Sequence, residues 1–240
     1  MKAIVLAAGK GKRLQSESFN LPKVLRQVKG KSLLEYSLNN VNFIPQDDTV
    51  IVVGYKREMV QEQVKGEYKF AVQEEQLGTG HAVASAESYF DGYTGDVLIL
   101  YGDMPMLKRE TYQALMNTHR ETGADCTLLT AESNSCLAYG RIIRENGKVA
   151  NIVEQKDCTP EQLNIRELNV GVYVFKADLL FSNIKNLKND NAQGEYYLTD
   201  VPKLLIEQGK KVEAYMIGDT CEIYGVNTLE DLAFCEANID

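Results

Sequence analysis

Residues 3–13, AIVLAAGKGKR, place a short apolar run directly before two glycines and a cluster of cations. Residues 3–8 have the continuous hydrophobicity of a strand buried on both faces, as in a parallel sheet. Small residues and glycines after such a strand let the backbone approach a ligand and present its N–H groups. Lys10, Lys12 and Arg13 would face an anion bound there. The segment therefore predicts a phosphate site at the carboxyl end of a strand; the alternative is a glycine turn with solvated lysines.

Short β-branched runs alternate with helical patterns through most of the chain. Strands are predicted at residues 3–8, 49–54, 69–73, 96–101, 139–144, 148–155, 168–175 and 211–216, and helices at residues 32–41, 79–89, 195–208 and 228–238. Asn146-Gly147 predicts a hairpin between two of these strands, and we expect Pro202 to bend or break its helix. The order predicts an α/β fold with a nucleotide-type half followed by a more antiparallel half that binds a second ligand.

The composition excludes several classes of protein. A chain of 240 residues with 44% hydrophobic and 25% charged residues is typical of one large globular domain. No apolar run reaches the roughly 18 residues of a membrane span, and the amino-terminal run is too short for an export signal, which predicts a cytoplasmic protein. The net charge of −8 disfavours nucleic-acid binding. Five widely spaced cysteines without a C-x-x-C pair favour reduced thiols.

Two named nucleotide motifs fail on single residues. Leu14 stands where the dinucleotide fingerprint needs its third glycine. Gly30-Lys31-Ser32 resembles the end of a Walker loop, but Leu25 stands where that loop needs its first glycine. Ser32 is better interpreted as the N-cap of the following helix.

Two charged side chains are candidates for a site at the predicted sheet edge. Asp103 follows Gly102 at the end of an apolar strand, where it is either a Mg²⁺ ligand or a turn-stabilising residue. Lys23 follows Pro22 and is either a point charge for a phosphate or a surface lysine.

Residues 73–83, QEEQLGTGHAV, are the candidate reader of a base. Gln73 and Gln76 carry paired donors and acceptors that suit a base edge. The glycines of Gly78-Thr79-Gly80 either bring the backbone close to a ring or ribose, or form a helix-capping loop. His81 and His119 are interpreted as structural, and no nucleophile–base pair is evident.

Taken in order, these segments resemble the sugar-1-phosphate nucleotidyltransferase family, and most closely the uridylyltransferase domain of its bifunctional N-acetylglucosamine-1-phosphate uridylyltransferases. The segments that carry the resemblance are LAAGKGKRL (6–14), LPKVL (21–25), QEEQLGTGHAV (73–83), LYGDMPML (100–107), YGRIIRENGKVANIVEQKD (139–157), NAQGEYYLTD (191–200) and GVN (225–227). QLGTGHAV and GEYYLTD are specific to this group, whereas the glycine loop marks only the superfamily.

The resemblance implies a nucleotide-diphospho-sugar transferase fold, in which a Rossmann-like, mixed, mostly parallel sheet is flanked by helices and joined to a smaller antiparallel sugar-binding lobe. It implies one domain over residues 1–240, with a nucleotide half at about 1–135, a sugar half at about 136–227 and a closing helix at 228–240.

The implied reaction is in-line, Mg²⁺-assisted transfer of a uridylyl group from UTP to a sugar 1-phosphate, with pyrophosphate as the second product. N-acetylglucosamine 1-phosphate is the first choice of sugar. Another hexose 1-phosphate, CTP or dTTP as the nucleotide, and a non-catalytic nucleotide-sugar binder are the alternatives.

Residue roles follow from the matching motifs. Arg13 and Lys23 would be the catalytic cations on the triphosphate, and Asp103 and Asn227 would hold Mg²⁺. The nucleotide-binding residues would be Leu6, Ala7, Ala8, Gly9, Gln73, Gln76, Gly78 and Thr79. The sugar-binding residues would be Tyr101, Gly140, Glu154, Asn169, Tyr197 and Thr199.

The sequence also departs from the family pattern. Lys12 replaces a Thr or Ser, residues 13–23 form a longer loop, Ala138 replaces a Gly, and Val170 replaces a Ser or Thr. The last two departures lie near the expected sugar site and leave the identity of the sugar open. The bifunctional proteins continue into a hexapeptide-repeat β-helix that acetylates and trimerises, and residues 1–240 contain no such repeat. We therefore expect no acetyltransferase activity and no trimer of that kind, and the oligomeric state stays open.

Overall fold

The computed structural model describes residues 1–11, 14, 20–134, 137–218 and 220–239, so that Lys12 and Arg13 lie outside the described residues. The described strands are β1 (Lys2–Ala7), β2 (Gln27–Val28), β3 (Lys31–Ser32), β4 (Thr49–Val53), β5 (Lys69–Val72), β6 (Asp96–Tyr101), β7 (Cys126–Glu132), β8 (Gly140–Glu145), β9 (Lys148–Val153), β10 (Glu167–Lys176) and β11 (Val212–Ile217). The described α-helices are α1 (Leu33–Asn40), α2 (Arg57–Gln63), α3 (Thr79–Ala84), α4 (Arg109–Thr122), α5 (Pro160–Leu163), α6 (Ala177–Ile184), α7 (Asp200–Glu207) and α8 (Leu229–Asn238).

The main sheet has the order β11-β7-β10-β6-β1-β4-β5. Strands β6, β1, β4 and β5 run parallel to one another, and β10 runs antiparallel between β6 and β7. The β8–β9 hairpin attaches to β10 and forms the antiparallel extension. The predicted fold class, a mixed and mostly parallel sheet with a smaller antiparallel part, is confirmed.

Alternate residues of each central strand face opposite layers of helices. On β1, Ala3 and Val5 pack in one core with α1 and α4, whereas Ile4 and Leu6 pack in a second core with α3, α6 and α7. Both faces of β1 are therefore covered. This burial explains why the sequences of the central strands are continuously apolar rather than alternating between apolar and polar residues.

The predicted helix over residues 195–208 is wrong at its start. Helix α7 begins at Asp200, so Pro202 lies in the first turn, where a backbone N–H has no intrahelical partner to lose. Pro202 therefore does not break the helix. Residues 195–199 instead run beside residues 77–80, with which they share backbone hydrogen bonds. The predicted helix at 79–89 also ends earlier, at Ala84, and a 3₁₀ turn follows.

Local signals at two predicted element boundaries are confirmed. The Ser32 hydroxyl accepts a hydrogen bond from the backbone N–H of Glu35 (3.2 Å) and caps α1. Asn146 and Gly147 both have positive φ and turn the β8–β9 hairpin. Thr228 caps α8. None of the described helices is long and apolar enough to cross a bilayer.

Candidate active site

Adjacent parallel strands β1 and β6 end at the same edge of the sheet, where ligands of such folds bind. The backbone N–H of Gly102 donates to the carbonyl of Leu6 (2.9 Å), which carries the pairing past the end of β6 to Asp103. The N–H of Val226 donates to the Asp103 carbonyl (2.9 Å). This bond joins two segments that are far apart in sequence and places Asn227 next to Asp103.

The Lys23 ammonium lies between these two residues. Its Nζ donates to Asn227 Oδ1 (2.8 Å) and forms an ion pair with Asp103 Oδ2. The Lys23 side chain is only 11% exposed, so the alternative of a surface lysine is wrong. Lys23 begins a 3₁₀ turn in which Val24 and Leu25 are buried in the core, and this turn fixes the direction of the side chain.

The donor set at this edge fits a hard divalent cation. A carboxylate oxygen and an amide oxygen converge on one cationic centre, here the ammonium of Lys23. In the described part of the chain no cluster of three or more His, Cys, Asp or Glu side chains could hold a metal. Two protein oxygens with substrate phosphates completing the shell suit Mg²⁺ rather than zinc.

Tyr139 holds the segment that carries Asn227. Its hydroxyl donates to the carbonyl of Ile223 and accepts from the N–H of Gly225 (3.3 Å). Below this contact, the buried Glu222 carboxylate accepts from the N–H of Lys108 (3.1 Å) and the hydroxyl of Thr111 (2.6 Å) at the start of α4. The position of Asn227 therefore depends on contacts on either side of residue 223.

Replacing Tyr139 with phenylalanine should weaken metal binding by roughly 5-fold, the effect of about 1 kcal/mol for one lost hydrogen bond. The ring still packs, but Gly225 loses its acceptor and Asn227 gains freedom. Mn²⁺ titration followed by electron paramagnetic resonance measures the affinity. Tyr89→Phe is the matched control, because its hydroxyl also donates to a backbone carbonyl, that of Phe70 (2.7 Å). Equal affinities of the two variants would contradict the positioning role of Tyr139.

Most of the predicted sugar residues line one cavity of about 160 Å³, which Asp103 and Asn227 line as well. The lining includes Tyr101, Asp103, Tyr139, Gly140, Glu154, Asn169, Thr199 and Asn227, together with the departures Ala138 and Val170. Tyr197 does not line it. Tyr197 lies in a neighbouring cavity of about 430 Å³, which shares Glu154 and Thr199 with the first.

A bulge in β10 shapes the cavity wall. The pairing of β10 with β7 shifts register between Asn169 and Tyr173. Asn169 Nδ2 donates to the Tyr173 hydroxyl (2.7 Å), which fixes the orientation of the amide. Gly171 has φ +88°, and a Cβ there would lie 2.9 Å from the Tyr101 ring. Glycine is therefore required for the Tyr101 ring to form this wall.

Glu154 is an acceptor in the cavity. The Thr199 hydroxyl donates to its Oε1 (3.0 Å). Burial raises the pKa of Glu154 above its ordinary value, the Thr199 hydrogen bond opposes this shift, and the negative charges of Asp157 and Asp200 add to it. The burial of Glu154 and the negative charges of Asp157 and Asp200 favour an uncharged ligand group, such as a hydroxyl, next to this carboxylate.

Gln73 presents a fixed acceptor on the nucleotide side. Its Nε2 donates to the carbonyl of Gly78 (3.0 Å) and lies 3.2 Å from Nδ1 of His81, which accepts the second amide hydrogen when Nδ1 carries no proton. Among the described residues no donor contacts its Oε1. His81, interpreted from the sequence as structural, orients this amide, and nothing in the local pattern indicated that role.

Gln76 packs beside Gly54, the residue that follows β4. Its Nε2 donates to the carbonyl of Gln73 (3.2 Å), and a Cβ on Gly54 would lie 2.9 Å from that nitrogen. The N–H of Tyr55 donates to the carbonyl of Ala8 (3.3 Å). Leu6, Ala7 and Ala8 are buried, whereas Gly9 is exposed to solvent. The predicted nucleotide residues are therefore adjacent, with Arg13 outside the described residues.

Hydrogen bonds connect residues 77–80 with residues 196–198. They therefore link the two family-specific motifs, QLGTGHAV and GEYYLTD. The N–H of Gly80 donates to the Tyr196 carbonyl (2.8 Å), and the N–H of Tyr196 donates to the Leu77 carbonyl (2.8 Å). The Thr79 hydroxyl accepts from the N–H of Leu198 (3.0 Å). Gly78 has φ +115°, and a Cβ there would lie 2.6 Å from the Tyr196 carbonyl oxygen. Glycine is therefore needed at position 78 because the backbone of Tyr196 lies so close, rather than for the approach of a ligand.

A mostly parallel sheet with a glycine loop at its edge, and a carboxylate and an amide beside a polar cavity, is typical of proteins that bind a phosphorylated nucleotide. The comparison with known families gives the class. Residues 2–221 match the family model described as Nucleotidyl transferase, and the chain belongs to that family.

The chain is 45% identical over 236 residues to the Bifunctional protein GlmU of Streptococcus gordonii, covering 98% of this chain and 51% of that protein. It is 44% identical to the protein of the same name from Geobacter metallireducens, covering 97% of this chain and 49% of that protein. The chain thus spans about half the length of the curated relatives it matches. The predicted family resemblance is confirmed.

Two solved structures show the same fold at low identity. One is UDP-glucose pyrophosphorylase complexed with UDP-glucose (TM-score 0.78, 16% identity, 98% of this chain and 97% of that one). The other is a putative glucose-1-phosphate thymidylyltransferase from Bacillus anthracis (TM-score 0.76, 19% identity, 100% of this chain and 96% of that one). At these identities the likeness concerns the fold alone.

Proposed function

We propose that the protein transfers a uridylyl group from UTP to N-acetylglucosamine 1-phosphate, giving UDP-N-acetylglucosamine and pyrophosphate. The observation that carries the proposal is the convergence of Asp103, Asn227 and Lys23 on one point at the wall of the predicted sugar cavity. The similarity to the GlmU proteins and the uridylyltransferase-like motifs support the choice of nucleotide and sugar.

The chain supplies position and charge rather than a covalent intermediate. Asp103 and Asn227 would hold Mg²⁺, which when bound offsets the charge on the phosphate oxygens. The backbone of residues 6–9 faces the nucleotide, and the Lys23 and Arg13 cations would bind the triphosphate and stabilise the departing pyrophosphate. The sugar phosphate oxygen is already ionised and needs no general base, so orientation and electrostatic stabilisation account for the rate.

The orientation of Gln73 favours uracil over cytosine. With its amide nitrogen directed at the Gly78 carbonyl and at His81 Nδ1, the group that Gln73 leaves for a ligand is Oε1, which accepts. Uracil carries an N–H at ring position 3, whereas cytosine carries an acceptor there. Uracil N3–H can therefore donate to Oε1 in the geometry that the loop provides.

Gln73→Leu should raise the KM for UTP by about 10-fold or more, because a buried donor without its acceptor costs about 1–3 kcal/mol. The KM for the sugar 1-phosphate should change much less. Two-substrate initial-rate kinetics separate the two values, and the CTP rate shows whether discrimination falls. Equal rises in both KM values would contradict the assignment of Gln73 to the base. Gln46→Leu is the control, because Gln46 lies in the turn before β4 and accepts from the N–H of exposed Glu67 (3.0 Å).

Acidification should raise the KM for the sugar through Glu154. Its raised pKa means that protonation, and the loss of an acceptor for sugar hydroxyls, begins at a higher pH than for an ordinary glutamate, whose pKa is about 4.3. Glu154→Gln should show a higher KM at neutral pH and lose this dependence. A pH profile of the sugar KM in both proteins is the measurement. The same profile in both would exclude Glu154 as its source.

Pyrophosphate release tests the proposed reaction directly. UTP with N-acetylglucosamine 1-phosphate should release pyrophosphate with Mg²⁺ and not with EDTA. Glucose 1-phosphate, CTP and dTTP in the same assay test the alternatives. Release with a different pair would correct the substrates and keep the reaction class. Binding of UTP without release from any pair would favour a nucleotide-sugar binder instead.

A further inference from the structure

We propose that the Lys23 ammonium closes the metal site in the free protein, so that a divalent cation must displace it from Asp103 and Asn227. The inference rests on the metal site of the proposed function. It adds that Lys23 and the metal compete for the same two oxygens when no nucleotide is bound, and that both bind the phosphates when it is.

The geometry requires this competition. Asp103 Oδ2 and Asn227 Oδ1 both contact the one nitrogen, Lys23 Nζ. Mg²⁺ needs its oxygen ligands at about 2.0–2.1 Å, inside the distance that separates Nζ from the same oxygens. An ammonium and a divalent cation cannot share that volume, and their like charges repel.

The displacement requires a movement of the lysine side chain only. Val24 and Leu25 are buried in the core directly after Lys23, and the 3₁₀ turn that they form holds its backbone. The flexible four-carbon stem of lysine can carry Nζ away from a fixed Cα. The anionic triphosphate of a bound nucleotide offers the released ammonium a new partner.

Nucleotide and metal should therefore assist each other through Lys23. A triphosphate that attracts the ammonium opens the two oxygens to the metal, and a metal that expels the ammonium frees it for the triphosphate. Such coupling is reciprocal between the two ligands. For this reason, metal binding to the nucleotide-free protein should be weak. Bound nucleotide should strengthen it by attracting Lys23, in addition to any bond that the phosphates make to the metal.

Mn²⁺ binding without nucleotide, followed by electron paramagnetic resonance, tests the inference. Lys23→Met should bind Mn²⁺ at least about 10-fold more tightly than the parent, because its two oxygens no longer hold a cation. Lys10→Met is the control for loss of one positive charge, since Lys10 is exposed on the glycine loop and forms no described contact with Asp103 or Asn227. Its affinity should rise by less than about 2-fold. Unchanged or weaker binding by Lys23→Met would overturn the inference.

Chemical labelling of the unaltered protein provides a second test that does not depend on the folding of a variant. Acetic anhydride with mass-spectrometric readout should modify Lys23 faster when saturating Mg²⁺ is added, relative to the exposed Lys148. An unchanged ratio would contradict displacement. If transfer is metal-dependent but both tests fail, only the competition is wrong. If neither the parent nor Lys23→Met binds Mn²⁺ and transfer also proceeds without metal, the metal assignment of the proposed function is wrong as well.

Discussion

Asp103→Ala should lower turnover by at least about 10²-fold at saturating substrates, the scale seen when one charge-stabilising group is removed from a site. Asp103 supplies the carboxylate at the edge where Lys23 and Asn227 meet. Its removal leaves one amide oxygen for the metal and releases the lysine from its ion pair. Initial rates at saturating UTP and sugar 1-phosphate, with Mg²⁺ titrated, measure the loss.

The fold should survive this substitution. The bond that joins the two halves of the site runs from the N–H of Val226 to the backbone carbonyl of residue 103, which alanine keeps. Far-UV circular dichroism and the denaturation midpoint check this expectation. Asp91→Ala, at an exposed turn, is the control for loss of a carboxylate and should turn over like the parent. A rate for Asp103→Ala within about 5-fold of that control would exclude Asp103 as a metal ligand, because a charge-stabilising group contributes more than that.

Strands of the central sheet could be predicted because burial on both faces requires a continuous run of apolar residues. After their first residues, β1, β4 and β6 are continuously apolar, and a length of five or six residues favours a strand over a buried helix. The position of Asp103 followed from the same logic, since the end of a parallel strand faces the ligand edge. Local sequence was therefore sufficient for these strands, whereas α4 and β7 were not predicted although the structure forms both.

Contacts distant in sequence account for what local sequence could not predict. Residues 195–199 precede a helical pattern and were assigned to it, but hydrogen bonds to residues 77–80 hold them in another conformation. Asn227 has a good explanation from the sequence as a helix cap, and only the family resemblance implies that it is a ligand. Its place beside Asp103 depends on the Val226 bond and on Tyr139, neither of which has a periodic or compositional signature.

The junction between residues 77–80 and 196–198 predicts a second large effect, at Gly78. Gly78→Ala should destabilise the protein by about 3 kcal/mol or more, because the backbone conformation (φ +115°, ψ 176°) is one that costs a non-glycine residue of order 1–3 kcal/mol. In addition, the new Cβ would lie 2.6 Å from the Tyr196 carbonyl oxygen and 2.8 Å from its nitrogen. Denaturant unfolding measures the loss.

The same substitution should raise the KM values of both substrates, each by about 10-fold or more, since the loss of one or two buried hydrogen bonds is worth that factor. Separation of the two segments moves the Gly78 carbonyl, which holds Gln73 on the nucleotide side. It also moves the segment that leads to Thr199, which holds Glu154 on the sugar side. One steric clash at Gly78 should therefore displace side chains in both pockets. Two-substrate kinetics on the folded fraction measure the two KM values.

Gly209→Ala separates the effect of the clash from that of positive φ. Gly209 has φ +71°, but a Cβ there would meet no atom within 4 Å, so the variant should lose only about 1 kcal/mol and keep both KM values. If Gly78→Ala were no less stable than Gly209→Ala, the close approach to Tyr196 would not be a constraint. If it raised only one KM, the two pockets would not share this junction. A rise in both, with the greater loss of stability, is the result expected when one loop carries the nucleotide contact and supports the sugar contact.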